Sequence, residues 1–181
     1  PDSLNATAIT YDVKEQRTKP VYSEIHGEDL DIHFRPYRDI LYASTNPTRT
    51  TTSIINSHNK QATLEGLLSL TPLKLSGNGT AIFGPGHLTS KSMYYQPTRI
   101  DADNSLFELK SPDFSLDNLL AFSTEAVEDH IDFERRRGDF EAIGDGSLVN
   151  FPIIKYICFL QRFSWYMDCL LYTSPSPRDL R

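Results

Sequence analysis

The sequence predicts a mainly β protein: a single elongated antiparallel sheet, of β-solenoid-like or open β-groove architecture. Three observations predict it. Apolar and polar residues alternate with period two in segment after segment, while helical periodicity is weak. The alternating runs are short and recur at roughly 8–12-residue spacing. The breaks between them carry turn chemistry, rich in Gly, Asn, Asp and Pro. No strict repeat recurs at a fixed period, and no composition shift marks an internal boundary.

The elements follow in order. In Asp29–Arg35, Leu30, Ile32 and Phe34 point one way and Asp31, His33 and Arg35 the other, the pattern of a half-buried strand. The polar stretch Asn46–Asn59 reads as loops or an edge strand. Residues 64–75 form a long extended stretch, with Leu64, Leu68 and Leu70 opposed to Glu65, Leu67 and Ser69. Thr80–Phe83, His87–Tyr95 and Leu106–Lys110 read as short strands, separated by turns at Gly77-Asn78-Gly79, Gly84-Pro85-Gly86 and Asp103-Asn104. Leu116, Leu120 and Phe122 share a parity, though Ser115–Phe122 also suits a short helix. Val127, Ile131 and Phe133 form one strand face, and Glu128, His130, Asp132 and Glu134 the other. Arg137-Gly138 reads as a turn, Phe140 as the start of the return strand, and Gly144-Asp145-Gly146 as a further turn. Lys155–Asp168 is apolar on both faces in its first half, which predicts an interior strand.

Composition bounds the function. The 181 residues include 9 Tyr and 10 Phe, enough for a core, so disorder throughout is excluded. A net charge of −6 argues against a general nucleic-acid binder. The best apolar run, Phe151–Leu160, is short and holds Lys155, so no membrane-spanning helix is expected. Two cysteines exclude a disulfide scaffold. The chain opens on Pro1 with no signal-peptide pattern, as expected of a reading frame open at its start. At the other end, Cys169–Asp179 reads CLLYTSPSPRD, which resembles the translation of a common transposase sequencing adapter over eleven consecutive residues. Residues 169–181 are therefore expected to be a non-native tail. The native part is then residues 1–168, a β-rich fragment of a longer protein with a net charge of −7 and Cys158 as its one cysteine.

Few residues carry chemistry. His130 and Asp132 place an imidazole and a carboxylate two apart on one strand face, a pair that can ligate zinc if Glu128 or Glu134 adds a third ligand. A solvated polar face explains them more simply. His26, His33, His58 and His87 show no metal-binding spacing. Arg135–Arg137 sits among acidic residues, so cross-strand ion pairs explain it better than nucleic acid does. Arg137-Gly138-Asp139 spells a cell-adhesion tripeptide but suits a tight turn equally well. The paired glycines lack the following helix that a phosphate loop needs. No Ser elbow is present, and no acidic pair is singled out for glycoside hydrolysis. Asn5 and Asn78 open glycosylation sequons, meaningful only in a secreted eukaryotic protein. No cofactor is implied, and no catalytic or metal site is expected beyond the weak pair His130 and Asp132.

The patterns Leu75–Thr80, Leu88–Lys91, Phe107–Leu109, His130–Phe133, Arg137–Phe140, Phe151-Pro152 and Phe163–Asp168 together resemble a stretch inside large, β-rich envelope proteins of Gram-negative gut bacteria. The resemblance covers most of residues 20–168. It implies an exported, periplasmic or outer-envelope location and a repetitive β scaffold, and it transfers no catalytic residue. The expected function is a non-enzymatic structural or transport scaffold, partnered by the rest of its own longer chain and by envelope lipid or glycan. The alternatives are a carbohydrate-binding or adhesive domain using Tyr94, Tyr95 and Trp165, and a metal-dependent hydrolase at His130 and Asp132.

Overall fold

The computed structural model describes residues 4–13, 24–36, 40–45, 51–57, 60–71, 74–96, 98–111 and 119–168. The chain is mainly β, and no α-helix occurs among these residues. The strands are β1 (Leu4–Val13), β2 (Glu24–Arg35), β3 (Ile40–Thr45), β4 (Thr51–Ser57), β5 (Lys60–Leu70), β6 (Leu75–Phe83) and β7 (Gly86–Tyr95). They continue as β8 (Arg99–Lys110), β9 (Leu120–Asp132), β10 (Arg137–Ala142), β11 (Ser147–Phe151), β12 (Tyr156–Leu160) and β13 (Arg162–Tyr166). All thirteen belong to one open antiparallel sheet, ordered β1-β2-β3-β5-β6-β7-β8-β9-β10-β13. β4 pairs with β2 and β5, so it shares a rung with β3; β11 pairs with β9, and β12 lies beyond it.

A single sheet with no helix to cover it must cover itself. Leu64, Leu75, Leu88, Ile100, Phe107, Val127 and Ile131 are all fully buried. The register shows how. Phe140 pairs with Asp129, which pairs with Ala102, so Phe107 lies five residues along β8 from Phe140's rung. In a flat sheet that is about 16 Å. The two rings are 4.9 Å apart. Phe107 also meets Trp165 at 5.5 Å, Phe83 meets Phe133 at 5.5 Å, and Phe122 meets Phe163 at 6.3 Å. Each of these contacts joins residues on opposite sides of a line across the middle of the sheet. The sheet is creased along that line, and its two halves pack inner face to inner face.

Irregular residues mark the crease strand by strand. On β7 the pairing with β6 skips a residue between Gly77–Met93 and Gly79–Ser90. On β8 an extra residue lies between Ala102 and Ser105, with Asn104 in the left-handed region at φ 46°. On β9 the extra residue is Ala126, at φ 56°. These bulges switch the buried parity: β8 buries 100 and 102, then 105, 107 and 109, while β9 buries 122 and 124, then 127, 129 and 131. A bulge lets a strand turn a corner and keep its apolar side inward. On β5 and β6 the crease is made by Gly66 and Gly79, which pair with each other at φ 152° and 136°. A Cβ on either would collide with the other strand's backbone. Beyond β9 the crease falls between strands, where β10 gives way to β11 and β13 follows β12.

Several expectations change. Gly77-Asn78-Gly79 and Asp103-Asn104 are not turns; they lie within β6 and β8, because glycine and αL residues serve bulges as readily as hairpins. The stretch 64–75 is not continuous: Thr71–Lys74 reverses it, with the Thr71 N–H donating to the Lys74 carbonyl at 2.9 Å. Arg137 and Gly138 belong to β10, and the turn precedes them. Lys155–Asp168 is not an interior strand. Among the described residues β12 pairs only with β11 and β13 only with β10, and Tyr156, Ile157, Phe159 and Leu160 are exposed. Leu116, His58 and the tail 169–181 lie outside the described residues.

Gly79→Ala is expected to destabilise the protein by more than about 2 kcal/mol, because positive φ and a backbone collision coincide there. Gly84→Ala, also at positive φ but with open space around it, is expected to cost only about 1 kcal/mol. Denaturant melts of the two variants check this; equal losses would mean that Gly79 does not anchor a crease.

Candidate functional site

On the outer face of one layer the register lines up a polar rung: Ser44, Ser69, Ser76, Tyr94, Asp101, His130, Asp139 and Ser164, one from each of eight successive strands. At its charged end, Asp101 is a hub. The Gln96 amide donates to Oδ2 at 2.8 Å, Arg99 Nε sits 2.8 Å from Oδ1, and His130 Nδ1 is 2.7 Å from Oδ1. His130 therefore has a partner. Asp101 sits opposite it in the register, 29 residues away in sequence.

The structure does not bring His130 and Asp132 to a common point. Asp132 accepts the Arg135 backbone N–H at 2.8 Å and faces the Arg135 guanidinium at 3.7 Å. Glu128 and Glu134 are exposed, and no group of three His, Cys, Asp or Glu side chains converges for a metal among the described residues.

The neighbouring arginines pair with carboxylates, as the local charge predicts. Arg137 meets Asp139 at 2.5 Å, with Ser164 donating to the same carboxylate at 2.6 Å; Arg162 meets Glu141 at 2.5 Å. Arg136 reaches further, to Asp168, with Nε donating at 2.7 Å. Exposed pairs of this kind contribute little to stability. They pair the charges of this face around a cavity of about 260 Å³ that Arg137 and Arg162 line with His130 and Ser164. The Arg137-Gly138-Asp139 tripeptide lies inside β10, its two charges bound to each other and Gly138 buried against Ile131 and Phe140. It is neither the expected turn nor an adhesive loop tip. Of the aromatics expected to form a sugar-binding surface, Tyr95 and Trp165 are in the core, and only Tyr94 is half-exposed.

The functional residue missed by sequence reasoning is Asp129. It shares the parity of Val127 and Ile131 and is fully buried on the inner face, beside the crease. Its Oδ1 has no hydrogen-bond partner, and its Oδ2 lies 2.6 Å from Ser105 Oγ. The Ser105 hydroxyl is also 2.9 Å from the Val127 carbonyl, which can only accept. A protonated Asp129 completes this arrangement: the carboxyl donates to Ser105, and Ser105 donates to Val127. Burial pushes the Asp129 carboxyl up to about 7, against the opposing pull of the Ser105 hydrogen bond. The period-two pattern was the available signal, since it places residue 129 on the core face. Burial similarly raises the Cys158 thiol, making it a poor nucleophile.

Comparison with protein-family models, curated proteins and solved structures finds no match.

Because the folded-state value of Asp129 lies above its ordinary 3.8, its neutral form favours the fold at low pH, and stability falls as pH rises from about 4 to about 7. The loss is on the order of 4 kcal/mol. Asp129→Asn is expected to flatten this slope and to be the more stable protein at pH 8. Urea melts across pH test it; an unchanged slope would show that Asp129 is ionised throughout. In a separate test, zinc calorimetry is expected to show no tight stoichiometric site. Tight binding abolished by His130→Ala would restore the metal-hydrolase reading.

Proposed function

We propose that this chain is a non-enzymatic structural segment of a large bacterial envelope protein, continued at its β12 edge by strands of the rest of that longer chain. One observation carries the reading. Among the described residues β12 has a sheet partner on one side only, and its side chains are apolar and exposed on both faces, with Phe159 64% and Ile157 59% accessible. Leu148, Ile153 and Ile154 extend the exposed apolar surface beside it. Monomeric proteins blunt such edges with charge, proline or a covering element; β12 carries none of these within Tyr156–Leu160. A further strand laid on this edge satisfies its open backbone groups and covers its side chains together.

Between the structural and transport readings, the inner face favours the structural one. A lipid carrier needs an open apolar trough, whereas here the rings of Phe83, Phe107, Phe122 and Phe140 fill the space between the layers. The envelope location rests on the sequence resemblance.

The chain as it stands is expected to self-associate with rising concentration, and Ile157→Lys with Phe159→Lys to make it monomeric without loss of fold. Sedimentation velocity with near-ultraviolet circular dichroism measures both. A reading frame extended to include its flanking strands is expected to be monomeric unmutated. Wild-type chain that stays monomeric, or association that persists in the extended chain, would defeat the proposal.

A further inference from the structure

On the outer face of β5–β7, along the polar rung, lies a cavity of about 390 Å³, within the size range of small-ligand sites. Ser69, Ser76, Asn78 and Tyr94 line it, together with Lys74 and Lys91. The crease builds it. The β7 bulge turns Lys91 and Ser92 outward in succession, and the Thr71–Lys74 reversal brings Lys74 to the same side. Lys74 Nζ stands 4.6 Å over the Tyr94 ring, and the Tyr94 hydroxyl takes a 3.1 Å hydrogen bond from Ser92.

The chain is net acidic, yet no carboxylate lines the cavity. Arg99, Arg135, Arg136, Arg137 and Arg162 each meet a carboxylate, whereas Lys74 and Lys91, like Lys110 and Lys155, meet none among the described residues. Of the acids on the neighbouring strands, Asp101 is held by Gln96, Arg99 and His130, the Asp103 carboxylate accepts from the Ser92 hydroxyl at 3.3 Å, and Asp31 lies opposite the lining residue Ser44 in the register. Two lysines with no carboxylate partner among the described residues line this hollow, together with Ser69, Ser76, Asn78 and Tyr94 and with the apolar Leu67 and Leu68. That set suits a ligand with one carboxylate and several hydroxyls, because lysines supply charge-assisted donors and the serines and Asn78 match a polyol.

We propose that this cavity binds an acidic sugar of the uronic-acid class, its carboxylate between Lys74 and Lys91 and its hydroxyls on Ser69, Ser76 and Asn78. The site lies apart from the β12 edge and stands independently of the strand-docking reading.

The test titrates the protein with a galacturonate or glucuronate disaccharide, with the matching neutral disaccharide and with inorganic phosphate. Amide NMR shifts at Ser76–Asn78 and Lys91–Tyr94 give the readout. Uronate is expected to bind at these residues, with the neutral sugar and phosphate at least tenfold weaker. Lys74→Gln and Lys91→Gln are each expected to weaken uronate about tenfold or more, the cost of one charged hydrogen bond. Both lysines are exposed, so thermal melts should stay unchanged. Lys91→Arg is expected to retain binding. No uronate binding, equal binding of the neutral sugar, tighter phosphate binding, or lysine variants that bind as wild type would each overturn the proposal.

Discussion

Everything in this molecule depends on one crease. A sheet of long antiparallel strands has two faces, and without helices it can bury one of them only by bending across its own middle. The bend needs backbone conformations that ordinary strand residues resist, so it falls at Gly66, Gly79, Asn104 and Ala126. Three of the strands add an extra residue there, and this keeps the apolar side chains inward on both sides of the bend. Without that residue a corner would turn one half of each strand inside out.

The crease also sorts charge. Inward positions hold rings and aliphatic chains, so the ion pairs gather on the outer face, where they are cheap and contribute little. Asp129 is the exception. It lies where β9 has just turned the corner and shares the inner face with Val127 and Ile131. The charged and titratable side chains of its own and adjoining strands, among them Asp101, Asp103, Glu128, His130, Asp139 and Glu141, lie on the opposite face by the burial pattern. Tyr95 shares the inner face but donates its hydroxyl toward the Met93 sulfur at 3.8 Å. Only Ser105 answers the carboxyl.

Much of the fold was legible in the sequence. The alternation of Leu30, Ile32 and Phe34, and of Val127, Ile131 and Phe133, predicted strands with the correct faces. Bulges were not legible as bulges, because Gly-Asn-Gly and Asp-Asn carry the same local signal in a hairpin and in a corner. Pairs of consecutive outward residues, such as Asp103-Asn104 and Glu125-Ala126, were the distinguishing mark, visible only once the flanking parity is compared. The apolar first half of Lys155–Asp168 misled because hydrophobicity on both faces predicts cover and cannot say whether the cover belongs to the same domain. Of the site, His130 and Asp132 were placed correctly on the outer face, but their partners were not foreseeable. Asp101 and His130 meet through the register of β8 and β9, a tertiary fact.

The long strands β5 to β9 each run through both layers, while β10 to β13 are short and each serves only one. The layers are therefore stitched together by continuous backbone along most of their width and are separate only where β3 and β4 share a rung and near the β10–β13 margin. A sandwich of two independent sheets can slide or gape; this one can do so only like a book, opening at the margin opposite its spine. Slow hydrogen exchange should concentrate in β6 to β8, and the first amides to exchange should be those of β12 and β13, whose loss leaves the stitched portion standing.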